Sequence, residues 1–303
     1  MLRFLFGCIF LLGTVSHASG QAWTQAPGRA YVKLAYGAST ATDQFTFDGQ
    51  TKLYADHVEE PAFFDRSLYL YGELGLTKRV TLVASLPYKR LFIRDTAFRY
   101  VAQGFGSAQL GVRYDLRPLL GWQDGANALS SYAAVTLPTG YHRNYAPSVG
   151  TGQVDAQASL HYGRSFYPFP GYAQVGLGYR HRSSLYSLSQ GAPCQEGADL
   201  GCIEDRQPTF GDEWTASAEI GMTLGKRALV QALTQTVWSI QTPNLGFTAT
   251  NPFPTHQRYV KVGGGLTLYP LPRLGLSMQA FMTPYGRSTV RSTDLFFGIE
   301  YAF

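Results

Sequence analysis

The 303-residue chain carries 25 Lys and Arg against 20 Asp and Glu, a formal net charge of +5, and only 15% of its residues are charged. No Lys/Arg cluster interleaved with aromatics marks a nucleic-acid surface, and no unbroken apolar run reaches the roughly 20 residues of a membrane-spanning helix. With 33 Gly, 20 Tyr and 19 Phe the composition is one of strands and turns, which excludes a helical membrane protein and points to an all-β fold.

At the N-terminus Met1-Leu2-Arg3 supplies a positive charge, Phe4 to Leu12 an apolar run, and Ala18-Ser19-Gly20 small residues before Gln21. This is the layout of a secretory signal peptide, so residues 1–20 are read as an export leader and 21–303 as the folded body. Cys8 lies inside the apolar run rather than after a lipobox, and it leaves with the leader.

From Arg29 onward, apolar and polar or small residues alternate over stretches of about ten, the length a tilted strand needs to cross a bilayer. Period 2 predicts strands over 31–38, 66–76, 79–88, 105–116, 128–137, 153–163, 172–182, 213–224, 228–240, 258–269, 273–284 and 292–303. Segment 228–240 is ambiguous, because Leu229, Leu233 and Val237 share one face while Val230, Trp238 and Ile240 share the other. Short connections such as Thr77-Lys78, Gly225-Lys226-Arg227 and Pro270-Leu271-Pro272 alternate with long ones at 39–64, 89–103, 138–152, 183–212 and 241–257. The moderately long turn at 117–127 fits that scheme less well. Short periplasmic turns with long outer loops are the asymmetry of an outer-membrane barrel.

A soluble sandwich would also alternate, but three features separate the two. The polar faces hold many Gly and few Lys or Glu, unlike a water-facing surface. Aromatics such as Tyr88, Trp214, Trp238 and Tyr269 gather near strand ends, where interfacial girdles lie. The chain ends on Leu295, Phe297, Ile299, Tyr301 and Phe303, a perfect alternation with a terminal aromatic that resembles the C-terminal assembly strand of bacterial outer-membrane proteins. The expected fold is therefore a transmembrane antiparallel up-and-down β-barrel of about 12 strands in the bacterial outer membrane.

With the apolar face turned to lipid, the inward charges are Lys33, Arg113, Arg180, Arg182 and Lys261 against Glu73, Asp115, Asp155, Glu219 and Glu300. A set balanced in sign can pair across the lumen and predicts little ion selectivity. Gly111, Gly176, Gly178, Gly221, Gly263 and Gly265 on the same face are expected to leave room. Gly178-Tyr179-Arg180-His181-Arg182 puts two guanidiniums near an outer strand end, to be paired with Glu219 on the next strand or with lipopolysaccharide phosphates, or else free to hold an anion.

Thr139-Gly140-Tyr141-His142-Arg143-Asn144, with Ser148 and Asp155, holds the residue types of a barrel-embedded hydrolase. Its Gly/Pro-rich spacing aims no base at a nucleophile, so no catalytic residues are assigned. The histidines at 57, 142, 161, 181 and 256 lack metal-ligand spacing, and neither metal nor cofactor is expected. Cys194 and Cys202 share one loop, and export to an oxidising compartment predicts a disulfide between them, with metal binding the weaker alternative.

Five short stretches resemble the family of outer-membrane proteins named after the meta-pathway of phenol degradation: Leu86-Pro87-Tyr88, Gly104-Phe105-Gly106 through Gln109-Leu110-Gly111, Leu137-Pro138-Thr139-Gly140, Gly150 through Asp155, and Gly178-Tyr179-Arg180. They cover residues 80–182 well and the C-terminal third by strand pattern alone. Where that pattern usually carries Asp, this chain has Ser107. The resemblance implies a barrel that takes up apolar or aromatic compounds. The function expected is a passive channel or uptake protein for an unidentified small solute, with outer-membrane lipid, lipopolysaccharide and the barrel-assembly machinery as partners. A structural or adhesive barrel with a closed lumen is the alternative, and a hydrolase the third.

Overall fold

The computed structural model describes residues 21–303 apart from 56, 95–98, 123–124, 142–148, 187–209, 226 and 242–255. Its strands are β1 (Ala30–Phe45), β2 (Thr51–Leu53), β3 (Phe63–Gly75), β4 (Val80–Arg94), β5 (Arg99–Phe105), β6 (Ala108–Asp115), β7 (Asn127–Leu137), β8 (Gln153–Ser165), β9 (Gly171–Tyr186), β10 (Glu213–Leu224), β11 (Ala228–Ser239), β12 (Arg258–Leu271), β13 (Leu274–Arg287) and β14 (Thr289–Ala302). Neighbours run β14-β13-β12-β11-β10-β9-β8-β7-β6-β4-β3-β1, and β14 pairs back onto β1. The result is a closed antiparallel barrel of twelve strands, with β2 and β5 added at the outer rim on β1 and β4. Closure pairs every wall strand on both sides, which a hydrocarbon surround demands because it offers unpaired amides no partner.

Alternation sorts the side chains as period 2 requires. Along β14, Phe297 and Ile299 are 48% and 56% exposed on the outside while Asp294 and Glu300 are 2% and 5% exposed within. An outer wall of Leu34, Leu70, Leu110, Leu160, Leu177, Ile220 and Leu276 is 45% to 59% exposed, and the partner of so apolar a belt is lipid. The terminal strand is held at the seam by thirteen register partners on β1, from Tyr31↔Ala302 to Phe45↔Thr289, and the Phe303 N–H donates to Ala30 O at 2.8 Å.

One expectation needs correction and one ambiguity resolves. Segment 105–116 is not one regular strand: Tyr88 pairs with Phe105 but Ser85 pairs with Gln109, so one extra residue is inserted opposite Pro87. Pro87 has no N–H to give, and its carbonyl instead accepts the Gly106 N–H at 2.8 Å, bending the ladder into β5 and β6. The ambiguity at 228–240 resolves with Leu229 and Val237 buried inside and Val230, Trp238 and Ile240 outside, so apolar side chains line that part of the lumen. The turn at 117–127 starts with one 3₁₀ turn, Arg117–Leu120, ended by Gly121 at φ 68°.

Candidate functional site: the lumen and the segment that crosses it

Residues 21–28 do not hang in the periplasm; they enter the barrel. Gly28 N–H donates to Gly75 O (2.8 Å) at the lower end of β3, where the chain turns inward. Gln25 then bonds Thr81 Oγ1 of β4 through its N–H (2.8 Å) and Glu73 Oε2 through its side-chain amide (2.7 Å). Arg113 of β6 donates to the Trp23 carbonyl (2.8 Å), and the Trp23 ring meets Tyr172 of β9 edge-on at 5.9 Å. Ala22 N–H reaches Gln174 Oε1 (3.2 Å), and the Ser217 hydroxyl of β10 lies 3.5 Å from Gln21 Oε1. β3 and β10 stand on opposite sides of the ring of twelve, so residues 21–28 span the lumen.

Glycines receive this segment. A Cβ at Gly75 would overlap the Ala26 carbonyl, and one at Gly163 would overlap the Trp23 ring. The same geometry corrects the expected roominess of the lumen. Tyr132 lies on Gly111, His161 on Gly176, Tyr172 on Gly221 and Phe281 on Gly263. The space left by these glycines is filled by neighbouring rings. A cavity of about 370 Å³ remains beside Gln21, bounded by β1, β3 and the walls of β8 to β14. Amides of Gln174, Gln231 and Gln279 and the rings of Phe281 and Phe296 face it together.

The ten inward charges read from the sequence are buried or half-buried, and the structure assigns their partners. Lys33 lies 3.7 Å from Glu300, which also accepts from Tyr31 (2.8 Å). Arg113 meets Glu73 at 3.0 Å, with both side chains almost fully buried. Asp115 binds Arg117 at 2.7 Å beside the 3₁₀ turn, and Lys261 binds Asp294. Arg180 and Arg182 do not pair with Glu219. The β9–β10 register sets Arg180 opposite Glu213, so both guanidiniums bind Glu213, Arg182 at 3.2 Å and also 3.9 Å from Asp155. The Phe210 ring covers Arg182 at 4.5 Å, which leaves this pair as an internal clamp rather than an anion site.

Glu219, six residues further down β10, is held by neutral donors: the Tyr172 hydroxyl, Gln174 Nε2 (2.9 Å) and Gln231 Nε2 (2.7 Å). It has no ion pair among the described residues. Four lumen charges were missed: Asp65 and Lys89, paired at 3.2 Å, plus Glu213 and Asp294. The last two share the strand parity of Glu219 and Glu300, a signal that was available. Asp65 and Lys89 lie just beyond the predicted strand ends.

At the outer rim Asp212 accepts from Tyr179 Oη (2.5 Å) and the Arg182 N–H (2.8 Å). Partial burial raises its carboxyl, but these bonds and His181 outweigh it and hold the group below the ordinary carboxylate range. Residues of four of the five stretches that carry the family resemblance meet at the β5–β6 bend, while Gly178-Tyr179-Arg180 lies on β9. Thr139 Oγ1 donates to Phe105 O (3.0 Å) and Gly106 O (2.9 Å). The Ser107 and Tyr141 hydroxyls are 2.7 Å apart, and Tyr141 also accepts the Gly152 N–H (2.8 Å). Here Ser107 acts as one member of a hydroxyl pair. His142, Arg143, Asn144, Ser148, Cys194 and Cys202 lie outside the described residues. Among those described, no group of three His, Cys, Asp or Glu could hold a metal.

Closure, the apolar belt and the crossed lumen define an outer-membrane β-barrel. No family model matches the chain, and no curated protein is similar to it. Among solved structures, an outer membrane channel from Pseudomonas putida F1 superposes with a TM-score of 0.69 at 13% identity, covering 94% of this chain and 98% of that one. The NanC porin superposes with a TM-score of 0.50 at 6% identity, covering 89% and 98%. At such identities the likeness concerns the fold.

Proposed function

We propose that this protein is a passive channel of the bacterial outer membrane through which a small molecule is taken up. The observation that carries the reading is the manner of closure. The lumen is crossed by a short segment held by side-chain hydrogen bonds, not by strand pairing, and a cavity adjoins it. Such a segment can leave without breaking the wall. Amide groups beside Phe281 and Phe296 suit a small neutral solute with an aromatic or apolar part, in line with the resemblance to the meta-pathway family, whose motif residues build the β5–β6 bend. Residues 1–20 would be removed on export, and Cys194 and Cys202 would be joined in the periplasm.

A closed, structural barrel is the second reading, and the buried Arg113–Glu73 pair beneath the segment favours it. The two separate in liposomes. Purified protein should admit small neutral solutes, and deletion of residues 22–26 should raise both swelling rate and single-channel conductance several-fold. Absence of solute swelling and of conductance in the deletion variant as well as the wild type would leave the closed barrel. Ester hydrolysis abolished by His142→Ala would replace both with an enzyme.

A further inference from the structure

On the outer wall, where alternation places apolar residues, β3 and β4 set Arg66 directly opposite Arg90. Their flanking partners in the same row are Ala38 on β1 and Gln103 on β5, neither of them acidic. Like charges directly opposite on paired strands repel, and the partners in this row offer no compensating charge. Arg66 donates to the backbone carbonyls of Ser39 (3.1 Å) and Asp65 (3.4 Å) and lies 5.5 Å from the Phe64 ring centroid. Among the described residues no carboxylate is paired with either guanidinium, and the rim acid Glu60 is taken by Arg94 at 2.7 Å.

The height of this pair is telling. Arg66 lies nine residues above Gly75 and Arg90 ten above Val80, the span of one hydrocarbon layer, so both guanidiniums sit at its outer boundary. They flank an outward groove of about 560 Å³, with Tyr36, Leu68 and Tyr88 below and Phe64, Phe92 and Val101 above and beside. The Phe64 and Phe92 rings stand 5.4 Å apart, and those of Tyr88 and Phe105 5.3 Å apart, which makes the aromatic walls rigid.

We propose that Arg66 and Arg90 together bind a phosphate of an outer-leaflet glycolipid of the lipid A type, one of whose acyl chains lies in the groove along Leu68 and Tyr88. A phosphate between two guanidiniums turns the repulsive pair into charge-assisted, forked hydrogen bonding, and the groove supplies the apolar half of the same ligand. This site faces away from the lumen, so its test does not depend on whether the barrel conducts.

The experiment is thermal unfolding and native mass spectrometry of the full barrel in detergent, with lipid A, dephosphorylated lipid A or phosphatidylcholine added. Lipid A should raise the midpoint and remain bound, and the other two should do neither. In the R66A/R90A variant lipid A should bind about tenfold more weakly or worse. Without lipid that variant should be at least as stable as the wild type, because the repulsion is gone; this also shows that it folds. Equal binding of dephosphorylated lipid A, or full retention of lipid A by R66A/R90A, would overturn the proposal. Complete competition by millimolar inorganic phosphate would overturn the acyl groove.

Discussion

Glu73 is the residue on which most of the lower lumen depends. It binds Arg113 and Gln25 and accepts from Tyr71, so it ties the crossing segment to β3 and β6 at once. Glu73→Ala leaves a buried guanidinium unpaired and removes that tie. It should cost on the order of 3 kcal/mol in unfolding experiments and raise channel conductance, whereas a purely structural role would change only the first. Glu219 behaves differently because its partners are neutral. Among the described residues the other lumen charges are paired, so Glu219 leaves one negative charge in excess, and a mild cation preference is predicted in place of the lack of preference expected from balanced counting. Reversal potentials under a salt gradient should show this preference and its loss in Glu219→Gln. An unchanged potential in that variant would place the conducting path elsewhere. Parity predicts the ten inward charges, but which carboxylate meets which base depends on register. A sequence does not display register, and so it offers Glu219 or lipopolysaccharide phosphate for Arg180 where the structure sets Glu213.

The elements divide at the outer edge of the membrane. Within the lipid the strands other than β11 set an apolar face against a more polar one, and period 2 makes the twelve wall strands readable. Above it both faces meet polar surroundings, the alternation lapses, and β2, β5 and the upper part of β4 went unseen. The bend at Pro87 escaped for another reason: its cause lies on β4 while its effect appears in the partner run. At the seam, β14 is paired to both β1 and β13, and Phe303 adds the last backbone bond, to Ala30. Phe303→Asp should therefore lower the yield of heat-modifiable, folded protein in membrane fractions without altering the conductance of the molecules that do fold. A normal yield would show that the terminal aromatic is dispensable. Cys194 and Cys202 fall in the connection between β9 and β10, outside the described residues. A disulfide there closes a short loop and should stabilise the barrel little; mass spectrometry of unreduced protein should find the two cysteines joined, and two free thiols would refute the pairing.

For the whole molecule, the crossing segment carries a consequence for the order of assembly. Residues 21–28 are made first, yet their bonds go to β3, β4, β6, β9 and β10, and the seam that encloses them needs β14, made last. With residues 1–20 removed on export, as proposed above, the segment has a free end, so it can enter or leave by the mouth beside Gly75 while the wall stays closed. The side chains that greet it, Glu73, Arg113 and Gln174, then tie together strands that the ladder joins only through their neighbours. The piece that leaves the ribosome ahead of every strand can thus be the last to settle, a latch thrown across a ring already rolled.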